Sequence, residues 1–258
     1  MAEPTLLIAS VYAPSASNDQ WLRLQHAWLA RTLEGVDYRF GIVLNGVPDL
    51  ELPAGIEVIE RLSDNAGHAA GLASAAQWMR SGSASHCLFL DSDAFPVTHG
   101  WLPHLLGQMA RFSKRVAAPV RFENLDRFPH PCAMLVERSV LDESWFSLRD
   151  GIEAPNLLGD TVRDVAASMV DRYAEVLPLL RSNVVNLHPV AAAIYHDCFY
   201  HHGAGSREFR FRVTDRYRYL ESWPTPWLAP ESLSARLFDD SDAFIQLLRG
   251  TSDAVRRL

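Results

Sequence analysis

The sequence predicts an α/β fold with an open, mostly parallel central sheet flanked by helices. Three observations over the first 120 or so residues predict it: short apolar runs rich in strand-forming residues, helical patterns that alternate with them, and polar residues directly after the runs. The chain has 258 residues, 48% of them hydrophobic. A chain of this size and composition can bury a core without disulfides or a structural metal.

The first half of the chain has a regular order of predicted elements. The apolar run 5–11 predicts a strand buried on both faces, and the run 38–44 predicts a second strand that stops at Asn45-Gly46. Between them, tryptophans and leucines recur at helical spacing from Trp21 to Leu33. Further strands are predicted at 56–59, 86–90 and 116–120, and further helices at 65–79 and 103–112.

The second half is less regular, and no flexible linker separates it from the first. We therefore expect it to pack directly on the first half. Its predicted elements are a strand or hairpin at 129–136, a helix from Asp160 with Val176 and Leu177 on its apolar face, strands at 184–187 and 191–195, and an amphipathic helix over 232–248.

Composition excludes several functional classes. The 24 basic and 31 acidic residues sum to a charge of −7, which argues against nucleic acid as a partner. Lys114 is the only lysine, so a Schiff-base lysine or a Walker-type phosphate loop is not expected. Three widely spaced cysteines fit neither a disulfide framework nor a zinc site. No signal peptide or transmembrane segment is predicted, and we expect a cytoplasmic protein.

Two carboxylates follow directly after the predicted strand 86–90. Residues i and i+2 of an extended chain point the same way, so Asp91 and Asp93 can bind one ligand. Two carboxylates with no basic residue nearby in sequence suit a hard divalent cation that also binds the phosphates of a substrate. The alternative interpretation is a helix N-cap followed by a turn aspartate.

Two further segments carry polar groups suited to an anion or a metal. Asn65 to Gly71 opens a helix with small residues, so its backbone amides can approach an anion; the alternative is a capped helix that packs tightly on the sheet. In the segment 200–207, His201 and His202 precede a glycine-rich loop and Arg207, which could supply a metal ligand and a phosphate contact. The alternative there is a polar turn after a strand.

The order of these motifs resembles the GT-A glycosyltransferases, specifically the family 2-like enzymes. The resemblance spans roughly residues 5–207, and its most specific part is the sequence LFLDSDAFP at 88–96. It implies a nucleoside-diphosphate-sugar donor, a Mn²⁺ or Mg²⁺ ion and an acceptor hydroxyl on a carbohydrate or another molecule. It also implies a single GT-A domain over 1–258, with a nucleotide-sugar half at about 1–120 and an acceptor half at about 121–258.

The resemblance assigns roles to individual residues. In such enzymes the first aspartate of the motif lies near the ribose and the last holds the metal, and the matching positions are Asp91 and Asp93. The loop after the first strand and the end of the second resemble a nucleoside pocket. The expected donor-binding residues are Tyr12, Ala13, Pro14, Asn45, Asn65, Gly67, His68, Asp91, Ser92 and Arg207, and the expected metal ligands are Asp93, Asp91, His201 and His202.

The sequence departs from the family pattern at two places. Asn45-Gly46 stands where many relatives carry an acidic, serine-bearing turn, and the usual acidic base motif is replaced at best by Gly159-Asp160-Thr161. We expect Asp160 to be the catalytic base of an inverting hexosyl- or deoxyhexosyltransferase, with a helix N-cap as its alternative role. A retaining outcome stays open, and the other candidate bases are Asp150, Glu153 and Asp164.

Two other functions stay open at this point. A nucleotidyltransferase acting on a sugar phosphate would normally carry a glycine-rich basic loop after the first strand, and residues 11–19 lack one. A non-catalytic carbohydrate-binding protein on the same fold would suit the seven tryptophans, but it would not need the Asp-Ser-Asp motif.

Overall fold

The computed structural model describes residues 5–48, 50–124, 128–146, 173–203 and 228–251. Within them the elements are β1 (Leu6–Tyr12), α1 (Asn18–Thr32), β2 (Tyr38–Asn45), β3 (Ile56–Leu62), α2 (His68–Ser81), β4 (His86–Asp91), β5 (Ala94–Pro96), α3 (Trp101–Arg111), β6 (Val116–Pro119), β7 (Ala133–Glu137), β8 (Val176–Leu179), β9 (Ala193–Tyr195), β10 (Phe199–His201), α4 (Pro230–Asp239) and α5 (Ser241–Leu248). Short 3-10 turns lie at Phe122–Asn124, Arg138–Asp142 and Tyr173–Glu175.

In the described part of the chain, the main sheet has seven strands in the order β3-β2-β1-β4-β7-β6-β8. Strands β3, β2, β1 and β4 are parallel neighbours, and β8 is parallel to β6. Only β7 runs the other way, because it pairs antiparallel with both β4 and β6. This mixed α/β architecture confirms the predicted fold class, and it gathers the carboxyl ends of β1, β2 and β4 at one edge.

The central strand β1 is buried along its whole length because both faces of the sheet are covered. Its side chains alternate between two apolar clusters. Leu6 and Ile8 pack in the cluster that includes the inner face of α1, and Leu7 and Ala9 pack in the cluster that includes α2. The continuous apolar run that predicted this strand therefore follows from a sheet between two helical layers.

A second, three-stranded antiparallel sheet has the order β5-β10-β9. Its register places Tyr200 opposite Phe95 and His201 opposite Ala94. This pairing brings a strand from the second half of the chain against the residues that follow β4. Three-residue strands are too short for a periodic pattern, and β5 and β10 were not predicted.

Two predictions for residues 173–187 are wrong. Val176 and Leu177 lie in the edge strand β8 rather than on a helix, and the exposed Pro178 in that strand is tolerated at a sheet edge. Residues 184–187 form no strand; instead the amides of Val184 and Val185 donate to the Leu248 carbonyl at 2.9 and 3.0 Å. Within the helix predicted from Asp160, Tyr173–Glu175 form a 3-10 turn, and residues 160–172 lie outside the described residues.

The predicted helix over 232–248 is two helices that meet at Asp240. This residue has φ −148° and ψ 93°, and its Oδ1 accepts a hydrogen bond from the Ala243 amide at 2.9 Å. Aspartate side chains compete with helical hydrogen bonds in this way and favour cap positions over helix interiors. None of the described helices is both long enough and apolar enough to cross a membrane.

Gly46, at the end of β2, has to be glycine for two reasons. Its φ is +71°, and a Cβ there would lie 2.4 Å from the Asn65 backbone nitrogen. We expect Gly46→Ala to lower the free energy of unfolding by about 2 kcal/mol or more, because left-handed strain adds to a clash with backbone. Urea unfolding followed by circular dichroism measures this.

Gly35 provides a matched control for this substitution. Its φ is +79°, and a Cβ there would meet nothing within 4 Å. We expect Gly35→Ala to show the left-handed strain alone, and so a smaller loss than Gly46→Ala. Equal losses in the two variants would contradict the close approach of Asn65 as the cause.

Candidate metal and donor site

The two aspartates of the motif meet a histidine from the small sheet. Asp91 is the last residue of β4, Asp93 follows in the turn, and His201 ends β10. The His201 Nε2 lies 3.4 Å from Asp91 Oδ2 and 3.5 Å from Asp93 Oδ1. Among the described residues this is the one group of three whose ligand atoms all lie within 4.8 Å of one another.

Burial and charge shape the titration of this cluster. Burial would raise the pKa of Asp91, but the neighbouring His68 and His201 outweigh it and hold that pKa well below its usual value. Burial would lower the pKa of His201, yet Cys132, Asp93 and Asp91 raise it well above its ordinary value. The two carboxylates and the thiol therefore make the cluster an environment that favours positive charge.

The donor atoms of the cluster fit a divalent cation. The side chains of Asp93 and His201 are 6% and 5% exposed, so few waters compete with a bound ion. Asp91 Oδ1 is buried and accepts no hydrogen bond, and His68 Nε2 at 3.2 Å is its nearest ion-pair partner. Two carboxylates suit hard cations, and an imidazole adds a ligand that transition metals accept.

Main-chain and amide hydrogen bonds hold the turn that carries the aspartates. The Asp91 amide donates to the Cys132 carbonyl, and the His202 amide donates to the Asp93 carbonyl, both at 3.0 Å. The Gln25 side chain on α1 donates to the carbonyls of Asp91 and Ala94 at 2.9 and 2.6 Å. Both ends of the turn are therefore bound by one side chain.

Gln25 was not identified from the sequence, although a signal is present. It occupies a helical position among four apolar residues that are buried in the core, Trp21, Leu22, Trp28 and Leu29. A polar residue on the apolar face of a helix needs a partner for its amide, because a buried unpaired amide is costly. The identity of that partner could not be deduced from the pattern.

Asn45, expected to contact the nucleoside, is fully buried and binds the loop before α2. Its Nδ2 donates to the Gly67 carbonyl at 2.8 Å and to Asn65 Oδ1 at 3.1 Å, and its Oδ1 accepts from the Ala66 amide at 2.9 Å. Asn65 is exposed and Gly67 is half-buried. Asn45 at the end of β2 thus binds the loop that contains Asn65 and Gly67. At the end of this loop, His68 begins α2 and faces Asp91.

The loop after β1 is divided between a buried and an accessible part. The Tyr12 side chain is fully buried, and its hydroxyl donates to Gln25 Oε1 at 2.9 Å. Ala13 is half-buried and Pro14 is exposed. The Asn18 side chain donates to the Ala13 carbonyl at 2.9 Å, so the start of α1 holds this loop at the carboxyl edge of the sheet.

Of the remaining predicted residues, Ser92 lies within the motif, His202 packs away from the cluster, and the others lie outside the described chain. Ser92 is 4% exposed and lies between the two aspartates. His202 is 1% exposed, its Nδ1 pairs with the Tyr200 hydroxyl at 2.8 Å, and its ring lies 5.1 Å from that of Trp21. Outside the described residues are Asp160, Arg207, Asp150, Glu153 and Asp164.

Cys132 and His130 are further neighbours of the cluster that were not predicted. The Cys132 backbone amide donates to His130 Nδ1 at 3.1 Å, and the rings of His130 and His201 lie 6.0 Å apart. Burial would raise the pKa of Cys132, but the two histidines lower it. The sequence feature that could have indicated them is the His-Pro-Cys segment just before β7. Because β7 pairs antiparallel with β4, this segment lies beside the carboxyl end of β4.

Comparisons with known proteins give distant structural likenesses. No family model matches the sequence, and no curated protein matches it. Among solved structures, the mannosyltransferase PcManGT from Pyrobaculum calidifontis, in complex with GDP-Man and Mn²⁺, is similar at 12% identity and a TM-score of 0.41, covering 64% of this chain and 51% of that one. S. aureus TarS 1-349 is similar at 12% identity and a TM-score of 0.44, covering 67% of this chain and 57% of that one.

The chain therefore spans little more than half the length of each of these two structures. Likeness at this level describes the general course of the backbone and assigns no activity. The Asp91-Ser92-Asp93 motif itself lies at the carboxyl end of a sheet strand, where the resemblance to GT-A glycosyltransferases places it.

Proposed function

We propose that the protein is a metal-dependent glycosyltransferase that moves a sugar from a nucleoside-diphosphate sugar to an acceptor hydroxyl. The observation that carries this proposal is the Asp91, Asp93 and His201 cluster at the carboxyl end of β4. In open α/β sheets, ligands bind beyond the carboxyl ends of the strands. A buried cation site at this edge suits a substrate that carries a diphosphate.

Asp91, Asp93 and His201 would hold the cation. Because the set combines two carboxylates with an imidazole, we propose Mn²⁺ in preference to Mg²⁺, which binds all-oxygen sites more readily. When bound, the ion would neutralise the charge that develops on the departing diphosphate. His68, 3.2 Å from Asp91 Oδ1, would orient that carboxylate.

The surrounding loops would bind the rest of the donor. The accessible loop at Ala13 and Pro14 lies at the end of β1, next to β4, and supports contacts with the nucleoside. The start of α2 presents backbone amides and the positive end of the helix dipole, which favour a phosphate. We propose that Arg207 adds a further contact to the diphosphate.

We propose Asp160 as the base that removes the proton from the acceptor hydroxyl. A single carboxylate in this role permits direct attack on the sugar carbon and inverts its configuration. The negative charge that develops on the departing diphosphate would then be stabilised at the site around Asp91 and Asp93, and not by Asp160. Asp160 would thus be needed for turnover and not for binding the donor.

A thermal-shift panel of nucleoside diphosphates, with and without Mn²⁺, tests the proposal. A ligand at one hundred times its Kd stabilises the folded state by about 2.7 kcal/mol. For a chain of this size that corresponds to a Tm increase of about 5–10 °C. We expect one nucleoside diphosphate to reach this shift with Mn²⁺ only; a Mn²⁺-independent shift, or a response confined to nucleoside triphosphates, would contradict the proposal.

Matched substitutions of the two histidines test which one holds the metal. We expect His201→Asn to weaken Mn²⁺ binding about tenfold or more, because asparagine cannot reach the carboxylates that Nε2 contacts. His202→Asn keeps an acceptor near the Tyr200 hydroxyl and should bind Mn²⁺ nearly as the wild type does. Isothermal titration calorimetry measures both affinities, and a larger loss in the His202 variant would reverse the assignment.

A further inference from the structure

The side chain of Gln25 is fully buried, and all of its hydrogen-bonding groups have partners within the protein. Its Oε1 accepts from the Tyr12 hydroxyl, and its Nε2 donates to the carbonyls of Asp91 and Ala94. A flipped amide would set Oε1 against two carbonyl oxygens, so one orientation is strongly favoured. Gln25 therefore has a defined geometry before any ligand binds.

The carbonyls that Gln25 binds are the two ends of the turn that carries both aspartates. The middle of this turn is held separately, since the His202 amide donates to the Asp93 carbonyl. The Asp91 amide is also bound, by the Cys132 carbonyl. Among these contacts, Gln25 is the one side chain that connects the start of the turn to its end.

Helix α1 also binds the loop after β1. Asn18 donates to the Ala13 carbonyl and lies seven positions before Gln25, which is two helical turns away on the same face. One rigid helix therefore contacts both the loop proposed for the nucleoside and the turn proposed for the metal. Side chains of α1 therefore hydrogen-bond to both parts of the site, which follow the directly paired strands β1 and β4.

We propose that Gln25 is a positioning residue that holds the Asp91–Ala94 turn in the geometry needed to bind the metal. The inference rests on the proposed metal site and adds to it a residue that does not itself touch the ion or the donor. Without Gln25, the buried Ala94 carbonyl and the partly buried Asp91 carbonyl lose their side-chain donor, and the turn can move toward other partners. Metal ligands are sensitive to small displacements, and loss of a supporting hydrogen bond typically weakens metal binding by about tenfold or more.

Gln25→Met tests the proposal because methionine preserves the volume and removes the amide. We expect the Kd for Mn²⁺ to rise about tenfold or more, measured from the free-ion signal in electron paramagnetic resonance. Thr32→Val is the control: Thr32 lies on the same helix, is buried, and donates to the Trp28 carbonyl at 2.7 Å, far from the turn in sequence. We expect this variant to bind Mn²⁺ with the wild-type Kd even where its Tm falls.

A graded second variant keeps the test decisive if the methionine variant does not fold. Gln25→Glu preserves the length of the side chain and an acceptor for Tyr12, and a protonated carboxyl donates one hydrogen bond where the amide donates two. We expect its Kd to lie between those of the wild type and the methionine variant. A wild-type Kd in a folded Gln25 variant, or an equal loss in Thr32→Val, would overturn the proposal.

Amide hydrogen exchange separates this inference from the proposed function. In either Gln25 variant, the amides of Asp91 and His202 should exchange faster than in the wild type, while that of Thr32 should not. If the wild type binds no Mn²⁺, the metal-site proposal fails, and unchanged exchange at these two amides would overturn the positioning role as well. If the wild type binds Mn²⁺ and the variants bind it equally well, only the positioning role fails.

Discussion

Asp93→Asn is expected to abolish Mn²⁺-dependent donor binding and to reduce sugar transfer at least about 100-fold. The substitution preserves the shape of the side chain but removes its negative charge and replaces one carboxylate oxygen with an amide nitrogen. Asp93 is 5% exposed, so water cannot easily replace the lost carboxylate. Calorimetric titration of nucleoside diphosphate with and without Mn²⁺, together with initial rates of transfer, measures both effects.

Two further variants serve as a comparison and a control for the Asp93→Asn result. Asp91→Asn should weaken metal and donor binding less completely, because in this family resemblance the first aspartate lies near the ribose. Asp19→Asn changes an exposed carboxylate in the first turn of α1 and should alter neither. If Asp93→Asn binds nucleoside diphosphate with unchanged Mn²⁺ dependence, the metal-site assignment is wrong.

Asp160→Asn is expected to lower kcat by about 10²–10⁴-fold, the usual contribution of a general base. Asparagine cannot remove the proton of the acceptor hydroxyl at neutral pH, yet it retains most of the capacity of aspartate to cap a helix. Donor affinity and Tm should therefore stay close to those of the wild type. Single-turnover rates and thermal shifts with saturating donor measure the two properties separately.

Asp164→Asn is the matched control for this substitution. It removes a carboxylate four positions further along the chain without changing Asp160. We expect its kcat to remain near the wild-type value. A large loss in the Asp164 variant with little loss in the Asp160 variant would move the base to Asp164, and equal small losses would return Asp160 to the role of a helix cap.

The main strands and first helices could be predicted because their patterns are local. A strand between two helical layers needs apolar residues on both faces; β1 is buried along its whole length with Ser10 as its one small polar residue, and β4 is apolar and buried over Cys87–Leu90. Helix α1 shows apolar residues at helical spacing because one side faces the core. The boundaries of these elements in the structure lie within a few residues of the predicted ones.

The second half was harder to predict because its short elements depend on distant partners. Strand β8 is four residues long and is a strand because it pairs with β6. The break between α4 and α5 depends on a single aspartate cap in an otherwise helical pattern. Local propensity is a weak guide where tertiary pairing decides the conformation.

The sequence by itself determined that two carboxylates lie at the end of a buried strand and point the same way, since both features depend on a few consecutive residues. The tertiary structure alone decided which histidine joins them. Adjacent residues at a strand end point to opposite faces, and the pairing of His201 with Ala94 directs His201 to the aspartates and leaves His202 against Trp21 and Tyr200. It also decided the hydrogen-bond partners of Gln25, two carbonyls that lie 66 and 69 residues away, because the register between such distant segments is set by packing of the whole core.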